Sequence, residues 1–532
     1  MFAKILSASL RGMEASLAEV EADAGKGIPA FYVTGWVSAE TKEAQFRVLN
    51  ALKNTGMELK PQKITVNITP ASCRKEGTAF DLPIAVAVLC ASGIFDYRLL
   101  SDTAFIGEIG LDGELKKLKG VLPMALALRE QGVRRLIVPA ANGREAALSS
   151  VPEVYGCGSL REVLELVHAF RQLQSGRETK KREAEAYLKQ LLFERDAGIS
   201  GAAPSEQPDF AEVRGQHYLK RAAEIAVAGR HNILFSGPAG TGKTMIARRM
   251  AGIMPPLTER ERMEITKIYS ICGLLPEGSP LIAGRPFRAP SQGISQSAFT
   301  GGGPAVLPGE LSLASGGILF MDELPLFSRP VLESMRQPLE EKSITVTRVR
   351  GSFSYPADFM LVAAMNNCAC GFYPDRNRCR CSPAQIHAYI GRLSRPLLER
   401  IDICAEAAPL RYEDLTGTDR NRKPEESSAA IRERVEAARL RQAERYGKDG
   451  ITCNSRLSGA QIEKYCALGA AERRFMKDVF TSRGLSGRTY HKILKLARSI
   501  ADLEQREEIR VEDLAEAVSF RGLEDKLFGG KR

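Results

Sequence analysis

The chain has 532 residues, 44% of them apolar, 7% aromatic and 26% charged, with Lys plus Arg outnumbering Asp plus Glu by 75 to 64 for a net charge of +11. This length predicts three or four compact units of about 150 residues, and the apolar share excludes a disordered or fibrous chain. The charge favours a polyanionic partner or a solvated basic surface.

In chain order, residues 1–171 mix two patterns. AFYVTGWV (30–37) and KITVNITP (63–70) alternate as strands do, whereas ETKEAQFRVLNALKNTG (40–56) has apolar residues at helical spacing and closes on Gly56. RRLIVPAANG (134–143) reads as a buried strand, and SLREVLELVHAFRQL (159–173) as a helix. Residues 172–208 are charged, then rich in small residues and Pro, and read as a linker. From 209 to 415, NILFSG (232–237), GILFMDEL (317–324) and FMLVAAMN (359–366) are short apolar runs of buried parallel strands. Residues 416–532 are helical in pattern. No run has the ~18 to 20 apolar residues of a membrane span. Arg11 and Glu14 stand where a secretory signal needs an apolar core. A cytoplasmic protein with no membrane partner is expected. Eleven cysteines, an odd number, argue against a disulfide framework.

The strongest motif is Gly237-Pro238-Ala239-Gly240-Thr241-Gly242-Lys243-Thr244, a complete GxxxxGK[ST] between an apolar strand and a helix. Its glycines let backbone N–H groups curl around phosphates at a positive helix end. Lys243 would neutralise the β and γ phosphates of ATP, and Thr244 would ligate Mg²⁺. A second apolar run ends in Asp322 and Glu323, supplying a carboxylate for Mg²⁺ and one to polarise the attacking water. A third ends at Asn366, whose amide could hold that water or sense the γ phosphate; by itself such an Asn reads more often as a turn residue.

Cys368-Ala-Cys370 and Cys379-Arg-Cys381 are two CxC pairs in a loop almost without apolar residues. Four thiolates would close a structural Zn²⁺ site; reduced free thiols and redox thiols are the other readings. SITVTRVRGSFSYPADF reads as a β-hairpin, with Arg348 and Arg350 before the Gly351 turn. Phe299 and Phe353 read first as core aromatics and second as surfaces for stacking on bases.

Taken together, the Walker A residues 237–244, the Walker B run 317–323 and Asn366 in the sensor-1 position resemble an AAA+ ATPase. GRPFRAPSQGISQSAFTGGG, PGELSLASGGILFMDELPLF and RLSRPLLERID resemble the ComM/YifB group of magnesium-chelatase-like AAA+ proteins. The resemblance implies an α/β P-loop core with a parallel sheet, a preceding α+β domain like that of Lon protease (ribosomal S5-like), and an all-α lid. It implies that Arg400 is an arginine finger acting on a neighbouring subunit, that Arg488 is sensor 2, and that the assembly is a homo-oligomeric hexamer. It makes the Arg348 hairpin the pre-sensor-1 hairpin and 284–303 a second insert that carries Arg285 and Arg288 to DNA. Ser291-Gln292 replaces the His pair usual in the family, and Asn367 and Ala369 stand where it usually has prolines. In the Lon-like region Ala79 and Leu122 fall where a Ser-Lys protease would need its nucleophile and base, so proteolysis is not expected. The function implied is a helicase-like, branch-migrating motor on single-stranded or branched DNA, not sequence-specific, in recombination or natural transformation. A magnesium-chelatase-like metal-insertion motor and an ATP-driven remodeller of a protein partner are the alternatives.

Overall fold

The structure is a computed structural model and describes every residue except 73, 175–177, 196–207, 277, 304–305, 349–350, 409–424 and 522–532. The chain divides into two compact units: Met1–Ala202 with Arg262–Ala283, and Ala203–Glu261 with Gly284–Arg532.

The first unit is built on a seven-stranded mixed sheet. Its strand order is Ala30–Thr34, Lys63–Thr69, Glu14–Gly25, Phe2–Arg11, Thr103–Phe105, Arg135–Pro139, Glu153–Cys157. The long pair Phe2–Arg11 and Glu14–Gly25 is antiparallel, and the last three strands continue in parallel. The helix Asp81–Ala91 is buried at every position, which is why it shows no amphipathic stripe: it runs through the core. Ser159 caps the helix Leu160–Leu173 by accepting the Glu162 N–H, and Leu160, Val163, Leu166, Val167 and Phe170 form its buried face.

Two boundaries differ from those expected. Within the stretch read as linker, Glu178–Leu191 is a helix that buries Ala184 and Leu188 in the first unit's core. Ala184 and Leu188, with Tyr187 and Leu191 half-buried beside them, dock a helix whose composition is otherwise that of a solvated segment. Residues 196–207 lie outside the described part. In addition, Arg262–Ala283 belongs to the first unit although it follows the Walker A motif in sequence. Leu281 packs with Leu122 and Leu148, and the Ser270 carbonyl accepts the Gly120 N–H at 3.0 Å.

The second unit holds a five-stranded parallel sheet in the order Phe287–Arg288, Ile318–Met321, Met360–Met365, Ile233–Ser236, Ile403–Glu406. The three central strands are buried at every residue, as expected of strands covered on both faces. The C-terminal helices Ser428–Tyr446, Gly487–Leu503 and Val511–Ser519 share one hydrophobic core with these strands, so the helical lid is continuous with the α/β part.

The second insert, 284–303, starts within the core sheet. Phe287–Arg288 is the edge strand of the core sheet, beside Ile318–Leu319. The approach is so close that a Cβ on Gly317 would stand 1.9 Å from the Pro286 carbonyl oxygen, so only glycine fits there. Phe299 is fully buried and is a core residue.

Candidate nucleotide site

Three neighbouring parallel strands, Ile233–Ser236, Met360–Met365 and Ile318–Met321, end at the same edge of the sheet. At such an edge, side chains from separate parts of the chain converge on one crevice. The first strand runs into Gly237, and Gly237, Gly240 and Gly242 adopt φ of 140°, 78° and 87° before the helix Lys243–Arg249 begins. This left-handed backbone curls the loop and leaves its N–H groups at a helix N-terminus.

Lys243 is buried, and its Nζ donates to the carbonyls of Gly237 (2.9 Å) and Pro238 (2.7 Å) and to Asn366 Oδ1 (3.2 Å). Burial pulls its pKa down to about 8, against the opposing charges of Asp322 and Glu323. Thr244 Oγ1 donates to Asp322 Oδ2 at 2.9 Å, so the hydroxyl and carboxylate expected to share a metal already touch. The Glu323 N–H donates to Asp322 Oδ1 at 3.0 Å, and Glu323 itself has φ of 54°, a strained conformation for a residue other than glycine. The structure thus brings Lys243, Thr244, Asp322, Glu323 and Asn366 together. Pro238, Ala239 and Thr241 complete the loop, with Thr241 Oγ1 donating to the Pro238 carbonyl at 2.9 Å.

Gln292 was legible only as a departure from the family pattern. Its Nε2 donates to Glu323 Oε2 at 3.0 Å, which makes it a direct partner of the carboxylate expected to polarise water. Gly371 carried no signal of its own in the sequence. Its carbonyl accepts the Ala239 N–H at 2.9 Å.

The other predicted arginines divide. Arg400 is mostly buried; it donates to the carbonyls of Arg336 (3.1 Å) and Pro396 (2.6 Å) and pairs with Glu340 at 2.7 Å. Arg488, at the start of the helix Gly487–Leu503, is 70% exposed and pairs with Glu399 at 3.5 Å. One turn further on, Lys492 pairs with the neighbouring Asp402 at 3.2 Å. Burial pushes the Asp402 carboxyl up, but Lys492, His231 and the Asn232 N–H together hold it well below the ordinary carboxylate range. The lid helix is therefore tied by two ion pairs to the segment carrying Arg400.

Arg285 and Arg288 are both engaged by groups of their own unit. Arg285 is buried, donating to the carbonyls of Pro255 (2.6 Å) and Gly316 (2.7 Å) and pairing with Glu261 at 3.3 Å. Arg288 makes two bonds to Glu310, at 2.7 and 2.6 Å. Their positions beside the edge strand turn both cations inward to carboxylates of their own unit. Arg348 is different. It ends the first strand of the hairpin Ser343–Arg348/Gly351–Pro356, where Ile344 and Val346 face inward and Arg348 is exposed. Arg350 lies outside the described residues.

Cys368, Cys370, Cys379 and Cys381 cluster with all four Sγ atoms within 4.8 Å of one another. Three of the separations are 3.3, 3.6 and 3.8 Å. Four thiolates about 2.3 Å from one ion stand about 3.8 Å apart, so the cluster fits the edges of a tetrahedral metal site. In the first unit, Leu122 is fully buried and Ala79 packs against the core, so the positions a Ser-Lys dyad would need are apolar.

A P-loop, an Asn at the end of the adjacent strand and paired carboxylates after the next strand form the arrangement expected of an AAA+ nucleotide site. Comparison with known families gives the same class and narrows it. Residues 209–415 match magnesium chelatase subunit ChlI, residues 20–142 match subunit ChlI of Mg-chelatase, and residues 425–521 match its C-terminal region. The chain is 38% identical to the competence protein ComM of Haemophilus influenzae over 98% of its own length and 97% of that protein's. It is 38% identical to YifB of Salmonella typhimurium (97% and 96% covered) and 37% identical to YifB of Escherichia coli (97% and 96%). The chain belongs to the ComM/YifB group of magnesium-chelatase-like AAA+ proteins. Membership implies ATP and Mg²⁺ as cofactors, and the Walker residues fit both. Among the described residues, no helix is long and apolar enough to cross a membrane.

Proposed function

We propose that this protein is a cytoplasmic, ATP-driven ring motor that moves single-stranded or branched DNA without reading its sequence, in recombination or the uptake of transforming DNA. The observation that carries the reading is the hairpin Ser343–Arg348/Gly351–Pro356. It is inserted between the strands bearing Glu323 and Asn366 and ends in the exposed Arg348. An exposed cation at a hairpin end can track a DNA backbone by charge alone. The relative named a competence protein supports the same reading.

In this scheme Lys243 holds the β and γ phosphates, and Thr244 and Asp322 hold Mg²⁺, which supplies charge neutralisation when bound. Glu323 orients and deprotonates the attacking water, and Asn366 positions it. Arg400 reaches the neighbouring subunit's ATP in a hexamer by exchanging Glu340 for phosphate, and Arg488 is sensor 2. The four cysteines hold a structural Zn²⁺.

The test is ATP turnover and DNA binding with single-stranded and forked DNA over a range of salt. Stimulated turnover and a falling log affinity with log salt are expected, and Arg348→Ala should lower that slope by about one while Arg285→Ala leaves it unchanged. If DNA neither stimulates turnover nor binds with a salt-dependent slope, the DNA reading is lost to a metal-insertion motor or a protein remodeller.

A further inference from the structure

We propose that the four-cysteine loop is a metal-dependent clamp on the nucleotide site: Zn²⁺ held by Cys368, Cys370, Cys379 and Cys381 fixes Gly371 against the P-loop, so metal occupancy sets nucleotide affinity. The proposal rests on reading the Walker residues as an ATP site and the thiols as a zinc site, and goes beyond both in joining them.

Three observations make the connection. First, the thiols and the nucleotide site share one short stretch of chain. Asn366, which accepts from Lys243 Nζ, stands two positions before Cys368, and Gly371 follows Cys370 directly. Second, Gly371 is the point of contact. Its N–H donates to the Cys368 carbonyl at 3.1 Å while its own carbonyl accepts from Ala239, the third residue of the P-loop, at 2.9 Å. With φ of 83°, and with any Cβ placed 3.1 Å from that of Ala239 and 3.8 Å from Asn366 Nδ2, the position is built for glycine. Third, the loop has little else to hold it. Phe372 and Tyr373 are half-buried and are covered by Arg378 and Arg376, whose guanidinium carbons lie 4.1 and 4.9 Å from the ring centres. A loop with so small an apolar interior recovers its ordering entropy from the bonds that cross-link it, which here are those the four thiolates make to one ion.

The consequence is directional. With the ion bound, the turn 368–371 is rigid and its carbonyl braces the Ala239 N–H, preorganising the phosphate cradle. Without it, the brace and the neighbouring Asn366 are released together, and nucleotide binding must reorder both.

The experiment uses the full-length protein. Zinc is quantified per chain, thermal melting is followed, and affinity for a fluorescent ATP analogue is measured at fixed Mg²⁺ for zinc-loaded, chelator-stripped and zinc-restored protein and for Cys379→Ser and Gly371→Ala. The expected result is about one zinc per chain and at least about fivefold weaker nucleotide binding after stripping, the lower end of typical site-to-site coupling. Added Zn²⁺ restores the stripped protein and leaves Cys379→Ser weak. Gly371→Ala keeps its zinc and stays folded, with a small drop in melting temperature, yet binds nucleotide as weakly as the stripped chain. If protein purified with a full zinc complement keeps its affinity within about twofold after stripping, or if zinc-loaded Gly371→Ala does, the clamp is overturned. The two underlying readings fail differently: less than about half a zinc per chain removes the metal site, and zinc-loaded protein that binds no nucleotide removes the ATP site. Should Cys379→Ser fail to fold, Gly371→Ala, which retains every thiol, decides the matter.

Discussion

Two polar sites, one in each unit, are built in opposite ways. In the first, Glu145 is 6% exposed and accepts from the Leu122 N–H at 3.0 Å, the Asn142 amide at 2.9 Å and the Ser270 hydroxyl. Each of those donors is a fixed part of the fold, and the network is closed. In the second, Lys243 leans on two loop carbonyls and Asn366, Thr244 on Asp322, and Gln292 on Glu323. Those partners are ones that a phosphate, a metal ion or a water can replace. A closed network stabilises and is chemically silent, whereas an exchangeable one sits ready for a ligand. In the first unit the positions of a Ser-Lys dyad hold the packed apolar residues Ala79 and Leu122, whereas the P-loop edge of the second gathers polar side chains.

The contrast can be broken from either side. The largest effect is expected from Glu323→Gln, which removes the proposed base: turnover falls on the order of a thousandfold while melting temperature and ATP binding hold. Phosphate release with parallel calorimetry checks this, and retained turnover would mean that another group activates water. Glu145→Ala is the counterpart in the closed network. It strands three buried donors at a cost of roughly 3 kcal/mol, seen as a lowered unfolding midpoint, with turnover per folded chain unchanged.

Lys243 gives a sharper test through pH. Its free pKa of about 8 lies below that of an ordinary lysine because of burial. Phosphate beside it will raise that value, so ATP binding takes up a proton above pH 8, and affinity falls by up to about tenfold per pH unit beyond it. Calorimetry at pH 8.5 in buffers of different ionisation enthalpy reads the uptake directly; no buffer dependence would show that Lys243 is already charged. The smallest effect belongs to Gln292→Ala. Losing one hydrogen bond to Glu323 frees the carboxylate for water and is expected to raise basal turnover by about two- to tenfold. Unchanged turnover would reduce Gln292 to a surface residue.

The P-loop was legible because it is contiguous: the eight residues, the strand before and the helix after are a local design that any tertiary setting must accept. Asp322, Glu323 and Asn366 were legible because buried parallel strands are continuous apolar runs whose ends are easily seen. The thiol cluster could be read from spacing. Gln292 could not be read as a partner of Glu323, since the two are 31 residues apart and meet only because Phe287–Arg288 lies beside Ile318–Leu319 in the sheet. The same strand pairing sets the partners of Arg285 and Arg288. A basic residue in a Gly- and Pro-rich segment looks exposed, and only the sheet reveals that Glu261 and Glu310 await it. The helix Glu178–Leu191 was hidden for a related reason, its charge masking two buried residues.

By itself the sequence determined the parts of this protein whose physics is short-range: the phosphate loop, the carboxylates and amide at strand ends, the four thiols and the family they identify. The tertiary structure alone decided which charges are free and which are spent. It turned Arg285 and Arg288 inward, left Arg348 outside, gave Glu323 a partner in Gln292, and set Gly371 against Ala239. A side chain's type fixes what bonds it can make. Whether it makes them within its own fold or keeps them for a ligand depends on which distant residues the packing brings within about 3 Å.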